Sequence, residues 1–139
     1  MSTYFDTSAL FKLVLPEPGA EVVARAWVQT DEPYASLVGH TELHAALARA
    51  MRNRRDVGDG PAVVDHIWER VTAIDVDADL VRGAGSLAAR HGLGALDAIH
   101  LASALVIAKV DPGMAFVTFD ARLRSAAAAE GFLVLPVVA

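Results

Sequence analysis

Four acidic residues stand out by position, although each taken singly could be a helix cap or a solvated side chain: Asp6, Glu42, Asp97 and Asp120. Asp6 closes the apolar run Thr3–Phe5, and Asp120 closes the run Ala115–Phe119. Glu42 in HTELHAAL and Asp97 in ALDAIHLASAL sit beside the apolar stripes of helical patterns. A carboxylate on a buried face is costly unless something pairs with it. No lysine or arginine lies one turn from Asp97, where positions 93, 94, 100 and 101 are Leu, Gly, His and Leu. A protonated His100 or a bound cation would make its burial tolerable. Four carboxylates within a few ångströms would repel, and without a cation at least one would stay protonated. Mg²⁺ or Mn²⁺ suits an all-oxygen ligand set. Such an ion can activate water and neutralise charge on a scissile phosphodiester.

Each acid also has a structural reading. Asp6, Asp97 and Asp120 lie near helix starts, where carboxylates cap backbone N–H groups and favour the helix dipole. Asp59 and Asp77 read as caps alone and stay outside the candidate site.

The elements that must carry these acids alternate short apolar runs with helical patterns. That alternation reads as α/β with a mainly parallel sheet. The first strand is expected at Thr3–Phe5, followed by a helix over Ser8–Leu15 that PEPG stops. A helix over 20–29 presents Val22, Val23, Ala26 and Trp27 on one face. A short strand at Tyr34–Ala35 precedes a helix that Ser36 caps and that runs to Arg52, with stripe Leu43, Leu47, Ala50 and Met51. Asp59–Pro61 opens a helix carrying Val64, Ile67, Trp68 and Val71. TAIDV is a strand, Asp77 caps the next helix, and Gly92 ends it. A strongly apolar helix, a strand over Ala115–Phe119, a helix ending at Gly131 and a last strand in FLVLPVV complete the chain. Pro136 marks that last strand as an edge. In an open parallel sheet, ligands bind beyond the carboxyl ends of strands. Asp6 and Asp120 stand at two such ends and could face one crevice.

Composition sets bounds on the rest. Residues 1–139 suit one domain, and at 54% hydrophobic the chain can bury a substantial core. The absence of cysteine excludes disulfides and thiolate metal sites. A formal net charge of −5 argues against a protein that coats nucleic acid through bulk charge, though not against local handling of it. No leader pattern is visible at Met1–Tyr4. The longest apolar run, Leu101–Ala108, falls far short of the roughly 20 residues of a membrane span. The expectation is a soluble, cytoplasmic protein without a membrane association.

The segments YFDTSALFKLVLPEPG, TELHAAL, LDAIHLASAL and VTFDARL resemble, in order and spacing, the PIN-domain ribonucleases. The likeness is nearest to the VapC-type toxins of bacterial toxin–antitoxin pairs and spans the whole chain. It implies a three-layer α/β/α domain with a parallel sheet and Mg²⁺- or Mn²⁺-dependent endonucleolytic cleavage of RNA. It also implies a homodimer and a cognate antitoxin that covers the active site. Carried over residue by residue, the resemblance makes Asp6, Glu42, Asp97 and Asp120 the metal ligands. Ser8 and Thr118 match its hydroxyl positions, which orient a carboxylate or water.

Other residues carry two readings each. Lys12 shares a helical face with Ser8 and would contact a phosphate or remain a solvated side chain. Arg122 and Arg124 would steer RNA or pair with the carboxylates. Arg49, Arg52, Arg54 and Arg55 suit a helix C-terminus, and could also grip phosphates. His44 lies near Glu42, and His100, one turn past Asp97, could orient that acid. Trp27 and Trp68 read as core or dimer surface. Phosphotransfer through Asp6 is a rival chemistry. Haloacid-dehalogenase-like enzymes want a second acid two residues on, where this chain has Ser8; receiver domains want an acidic pair that it lacks. A PIN-like binding module without catalysis, acting through a protein partner, is the non-enzyme alternative.

Overall fold

Tyr4 and Phe5 are adjacent in sequence yet face opposite sides of the sheet, and that period of two builds the layers. The computed structural model describes residues 1–137. In it β1 (Ser2–Phe5) lies at the centre of a five-stranded sheet with β2 (Glu32–Ser36), β3 (Thr72–Ile74), β4 (Ala115–Val117) and β5 (Leu133–Leu135). The order is β3-β2-β1-β4-β5, and every pairing is parallel. β4 repeats the alternation of β1, with Phe116 on the Tyr4 side and Val117 on the Phe5 side.

Each parallel pairing needs a crossover, and the helices supply it. Helices α1 (Thr7–Val14), α2 (Ala20–Gln29), α3 (Val38–Arg52) and α4 (Gly60–Arg70) link β1, β2 and β3. They bury Leu10, Val23, Leu43, Leu47, Val64 and Ile67 against the Phe5 face. Helices α5 (Ala78–His91), α6 (Ala95–Ala108) and α7 (Ala121–Ala129) serve β4 and β5. They bury Leu80, Leu87, Leu101, Leu123 and Ala127 against the Tyr4 face. The result is the expected three-layer α/β/α sandwich. Each fully buried Leu, such as Leu10, Leu43, Leu101 and Leu123, contributes about 1.5–3 kcal/mol. The chain leaves β1 toward β2 on one side and returns through β4 on the other. The strand order therefore reverses between β1 and β4, which is where such sheets bind ligands.

Several local expectations shift, each for a physical reason. The strand expected over Ala115–Phe119 ends at Val117; the Phe119 and Asp120 N–H groups turn to the Ser8 and Thr118 hydroxyls instead of a strand partner. Ser36 is the last residue of β2, and α3 begins two residues later with Leu37 at its cap. Met51 is 53% exposed, so the buried stripe of α3 is Leu43, Leu47 and Ala50. Asp59 precedes α4 but makes no side-chain cap bond, whereas Asp77 accepts from the Leu80 N–H at 2.9 Å. Gly92 ends α5 in the left-handed region, as expected. Trp27 and Trp68 pack against the Phe5-side core, and the Trp27 ring meets Phe5 edge-on at 5.4 Å. Among the described residues no single helix is long and apolar enough to cross a membrane.

Candidate active site

Asp6 follows β1 directly, and the register Phe5↔Val117 sets it beside Thr118. Its backbone N–H extends the ladder to the Val117 carbonyl at 3.2 Å. Its carboxylate is only 3% exposed and is held by both oxygens. Oδ1 accepts from the Ser8 hydroxyl at 2.7 Å and from the Ala9 N–H at 2.9 Å. Oδ2 accepts from the Thr118 hydroxyl at 2.5 Å. Asp6 is thus the N-cap of α1. The two hydroxyls also brace the facing strand end. Ser8 Oγ accepts from the Phe119 N–H at 3.1 Å, and Thr118 Oγ1 accepts from the Asp120 N–H at 3.1 Å. Asp120 in turn caps α7, accepting from the Leu123 N–H at 2.8 Å.

Glu42 reaches the same edge of the sheet from α3. Its Oε1 accepts from the Thr7 hydroxyl at 2.8 Å and lies 2.6 Å from His100 Nε2. Asp97 lies in the first turn of α6, where Gly94 rather than Asp97 is the cap.

Electrostatics ties the four acids together. Burial raises the Asp97 carboxyl above its ordinary value, and repulsion from Asp120, Asp6 and Glu42 adds to that; His100 opposes. Burial likewise raises Asp6, against the opposing pull of His100 and the hydrogen bonds from Thr118, Ser8 and Ala9. Burial acts on Glu42 in the same direction, but its bond to His100, the charge of that ring and the Thr7 bond outweigh it. Glu42 is held below the usual carboxylate range. Asp97 on α6 therefore lies within electrostatic reach of the other three acids.

The donor set fits a hard divalent cation, since it consists of carboxylate oxygens whose mutual repulsion such a charge would relieve. The fit is incomplete in one respect. Among the described residues no three acidic or imidazole groups stand in the arrangement of a preformed metal site. Glu42 Oε1 is engaged by His100 and Thr7.

Two residues of this network, Tyr4 and Thr7, are absent from the sequence reading. Thr7 was legible as a hydroxyl next to Asp6, but nothing marked its partner 35 residues away. His100 does bond a site acid, although that acid is Glu42 and not Asp97. Lys12 is neither free nor simply solvated. Its ammonium lies 4.5 Å from the Phe119 ring centroid and 3.8 Å from Glu17. Arg55 pairs with Glu17 at 3.1 Å, and Arg124 bonds the Pro136 carbonyl. Arg49, Arg52, Arg54 and Arg122 are exposed, as is His44.

The PIN domain family profile matches residues 3–129, and the chain belongs to that family. Its relatives there are VapC proteins. It is 35% identical over 137 residues to Ribonuclease VapC45 of Mycobacterium tuberculosis, covering 96% of this chain and 94% of the relative. Among solved structures it resembles M. tuberculosis VapC20, described as a Sarcin-Ricin loop cleaving toxin. There the TM-score is 0.66 at 20% identity, over 94% of this chain and 95% of the other. A toxin–antitoxin complex from Klebsiella pneumoniae matches with a TM-score of 0.60 at 19% identity, over 85% of this chain and 86% of the other. These two likenesses establish the fold.

Proposed function

We propose that the protein is a divalent-metal-dependent endoribonuclease, the toxin of a toxin–antitoxin pair. One observation carries the reading: Asp97 on α6 is raised by burial and by repulsion from Asp120, Asp6 and Glu42, which come from three other elements at the switch point of a parallel sheet. The ribonuclease name of the 35% identical relative supports RNA as substrate. The Klebsiella toxin–antitoxin complex supports an antitoxin partner.

Asp6, Glu42, Asp97 and Asp120 would hold Mg²⁺ or Mn²⁺ through carboxylate oxygens. A bound ion of this kind lowers the pKa of water and neutralises charge on a phosphodiester. Ser8 and Thr118 fix both oxygens of Asp6, so that carboxylate presents one orientation. Burial and repulsion from Asp120 raise the Asp97 carboxyl above its ordinary value, and a cation beside it would relieve both. No cysteine is present, and the Ser8 hydroxyl is engaged at both ends, donating to Asp6 and accepting from the Phe119 N–H. The residues therefore bind and orient; none is set up as a covalent nucleophile. The same reading expects a homodimer. Acting on cellular RNA, the protein would work in the cytoplasm.

The second reading is a PIN-like binding module that acts through a protein partner. The observation in its favour is the engagement of Glu42 by His100 and Thr7 in place of a preformed metal arrangement. Mn²⁺ titration by calorimetry separates the two. The nuclease reading expects binding that Asp6→Ala abolishes; no binding to the wild-type protein favours the module.

A further inference from the structure

An open groove of about 830 Å³ runs between the C-terminal end of α5 and the exposed face of α7. One wall carries Arg90 and His91; the other carries Arg122 and Ser125 among alanines. Both walls run straight into elements that bear site acids. The α7 wall starts at Ala121, directly after Asp120. The α5 wall ends at Gly92, and the chain then enters α6, whose first turn holds Asp97. The groove therefore opens at the Asp97–Asp120 end of the site.

Arg122 is the telling residue on its walls. It is exposed in the first turn of α7, and among the described residues it meets no acid and no carbonyl. A cation there opposes the helix macrodipole, which favours acids at a helix start. Helix stability thus gives no reason for it. Its neighbours are committed elsewhere: Arg124 to the Pro136 carbonyl, Lys12 and Arg55 to Glu17. Arg90 stands in the last turn of α5, where a cation suits the dipole. Its Nη1 donates to the two oxygens of Glu130 at 3.2 and 3.5 Å. Those bonds orient the guanidinium and leave most of its five N–H donors unused. His91 Nε2 lies 2.8 Å from the same carboxylate, so Glu130, which follows α7, ties the two walls together. Ser125 stands one turn beyond Arg122 on the same face of α7. The alanines beside it keep that wall low, so a polymer backbone can come close. Two arginines against one glutamate make the groove positive in a chain of net charge −5.

We propose that this groove carries the ribose–phosphate backbone of a single RNA strand away from the acidic site, with Arg122 and Arg90 on its phosphates and the Ser125 hydroxyl on a phosphate or ribose oxygen. The inference rests on the endoribonuclease reading and adds the route of the strand. A guanidinium suits the role, because it gives two parallel N–H bonds to one phosphate. The acids repel phosphates, so cations placed just outside them hold the strand where the acids alone would not.

The test measures binding of a fluorescently labelled single-stranded RNA oligomer by anisotropy, in EDTA and over a salt series. The wild type should bind. Arg122→Ala should weaken binding severalfold and lower the slope of log affinity against log salt by about 0.7, the share of one phosphate contact on a single strand. Its melting temperature should stay the same or rise, which a structural arginine would not allow. Arg122→Lys, which keeps the charge, should recover most of the slope. Ser125→Glu sets a like charge against the strand and should weaken binding more than Arg122→Ala. Arg25→Ala, an exposed change on α2, is the control and should alter neither quantity. Unchanged affinity and slope in both folded Arg122→Ala and folded Ser125→Glu would overturn the track while leaving the ribonuclease reading in place. A loss in Arg25→Ala equal to that in Arg122→Ala would also overturn it, because binding would then follow bulk charge. A wild-type protein that binds no RNA would overturn the track and the RNA reading together.

Discussion

Replacing Thr118 by Val swaps a hydroxyl for a methyl group of nearly the same shape at a position with no exposure. It removes the 2.5 Å bond to Asp6 Oδ2 and the 3.1 Å bond from the Asp120 N–H. Asp120 is only half-buried, so water can replace the second bond. Asp6 is buried, and its Oδ2 loses its donor. Hydrogen bonds to charged groups contribute about 1.5–3 kcal/mol, and that is the expected loss at neutral pH. For a chain of this length it corresponds to a fall in melting temperature of about 5–12 °C. The loss should shrink in acid. As pH falls through the raised pKa of Asp6, the carboxyl protonates and the charge-assisted part of the bond disappears from the wild type as well. Urea denaturation of both proteins at pH 7 and in an acidic series would measure this. A loss under about 0.5 kcal/mol at pH 7, or one that does not change with pH, would refute the claim that Thr118 serves a buried, charged Asp6.

Further outcomes follow from the same geometry. Asp97→Asn should abolish RNA cleavage while raising the melting temperature at neutral pH by a few degrees, since it removes a carboxylate that burial and Asp120 disfavour. A group with a raised folded pKa makes the folded chain bind more protons than the unfolded one, so this advantage should fade as pH falls through that pKa; differential scanning fluorimetry across pH checks both points. Glu42 has the opposite sign, and Glu42→Gln should lose stability above the ordinary glutamate pKa and show no deficit below the depressed one. Gly19→Ala should cost about 1–3 kcal/mol in thermal denaturation. Its backbone is left-handed at φ +94°, and a Cβ there would stand 2.6 Å from the Phe119 ring. Changing exposed Arg52 and Arg54 to Ala should flatten the salt dependence of RNA binding if they meet phosphates, and an unchanged slope would leave them as surface charge.

The acids at strand ends were legible because a strand-to-helix junction has a simple signature: an apolar run, a carboxylate, then a helical stripe. Asp6 and Asp120 follow it, and both turn out to cap the helices that follow, α1 and α7. The two readings were compatible, since one carboxylate has enough lone pairs for a backbone N–H and further partners. Glu42 and Asp97 were visible as acids beside apolar stripes. The end of β4 was not legible because the Phe119 and Asp120 N–H groups find side-chain hydroxyls, those of Ser8 and Thr118, that only the fold brings beside them. The partners of Glu42 were not legible. Tyr4 is an ordinary apolar strand residue in sequence, and its bond to a histidine 96 residues away exists only once β1 and α6 pack together. Lys12 likewise read as a free charge until the fold brought Phe119 and Glu17 beside it.

The central claim is that these acids form a metal-dependent ribonuclease site. It is tested most directly by incubating purified, partner-free protein and its Asp97→Asn variant with cellular RNA, each with Mn²⁺ and with EDTA. The account predicts discrete fragments from the wild type with Mn²⁺ alone. Intact RNA from folded wild-type protein with Mn²⁺, or cleavage that survives EDTA or Asp97→Asn, would contradict it.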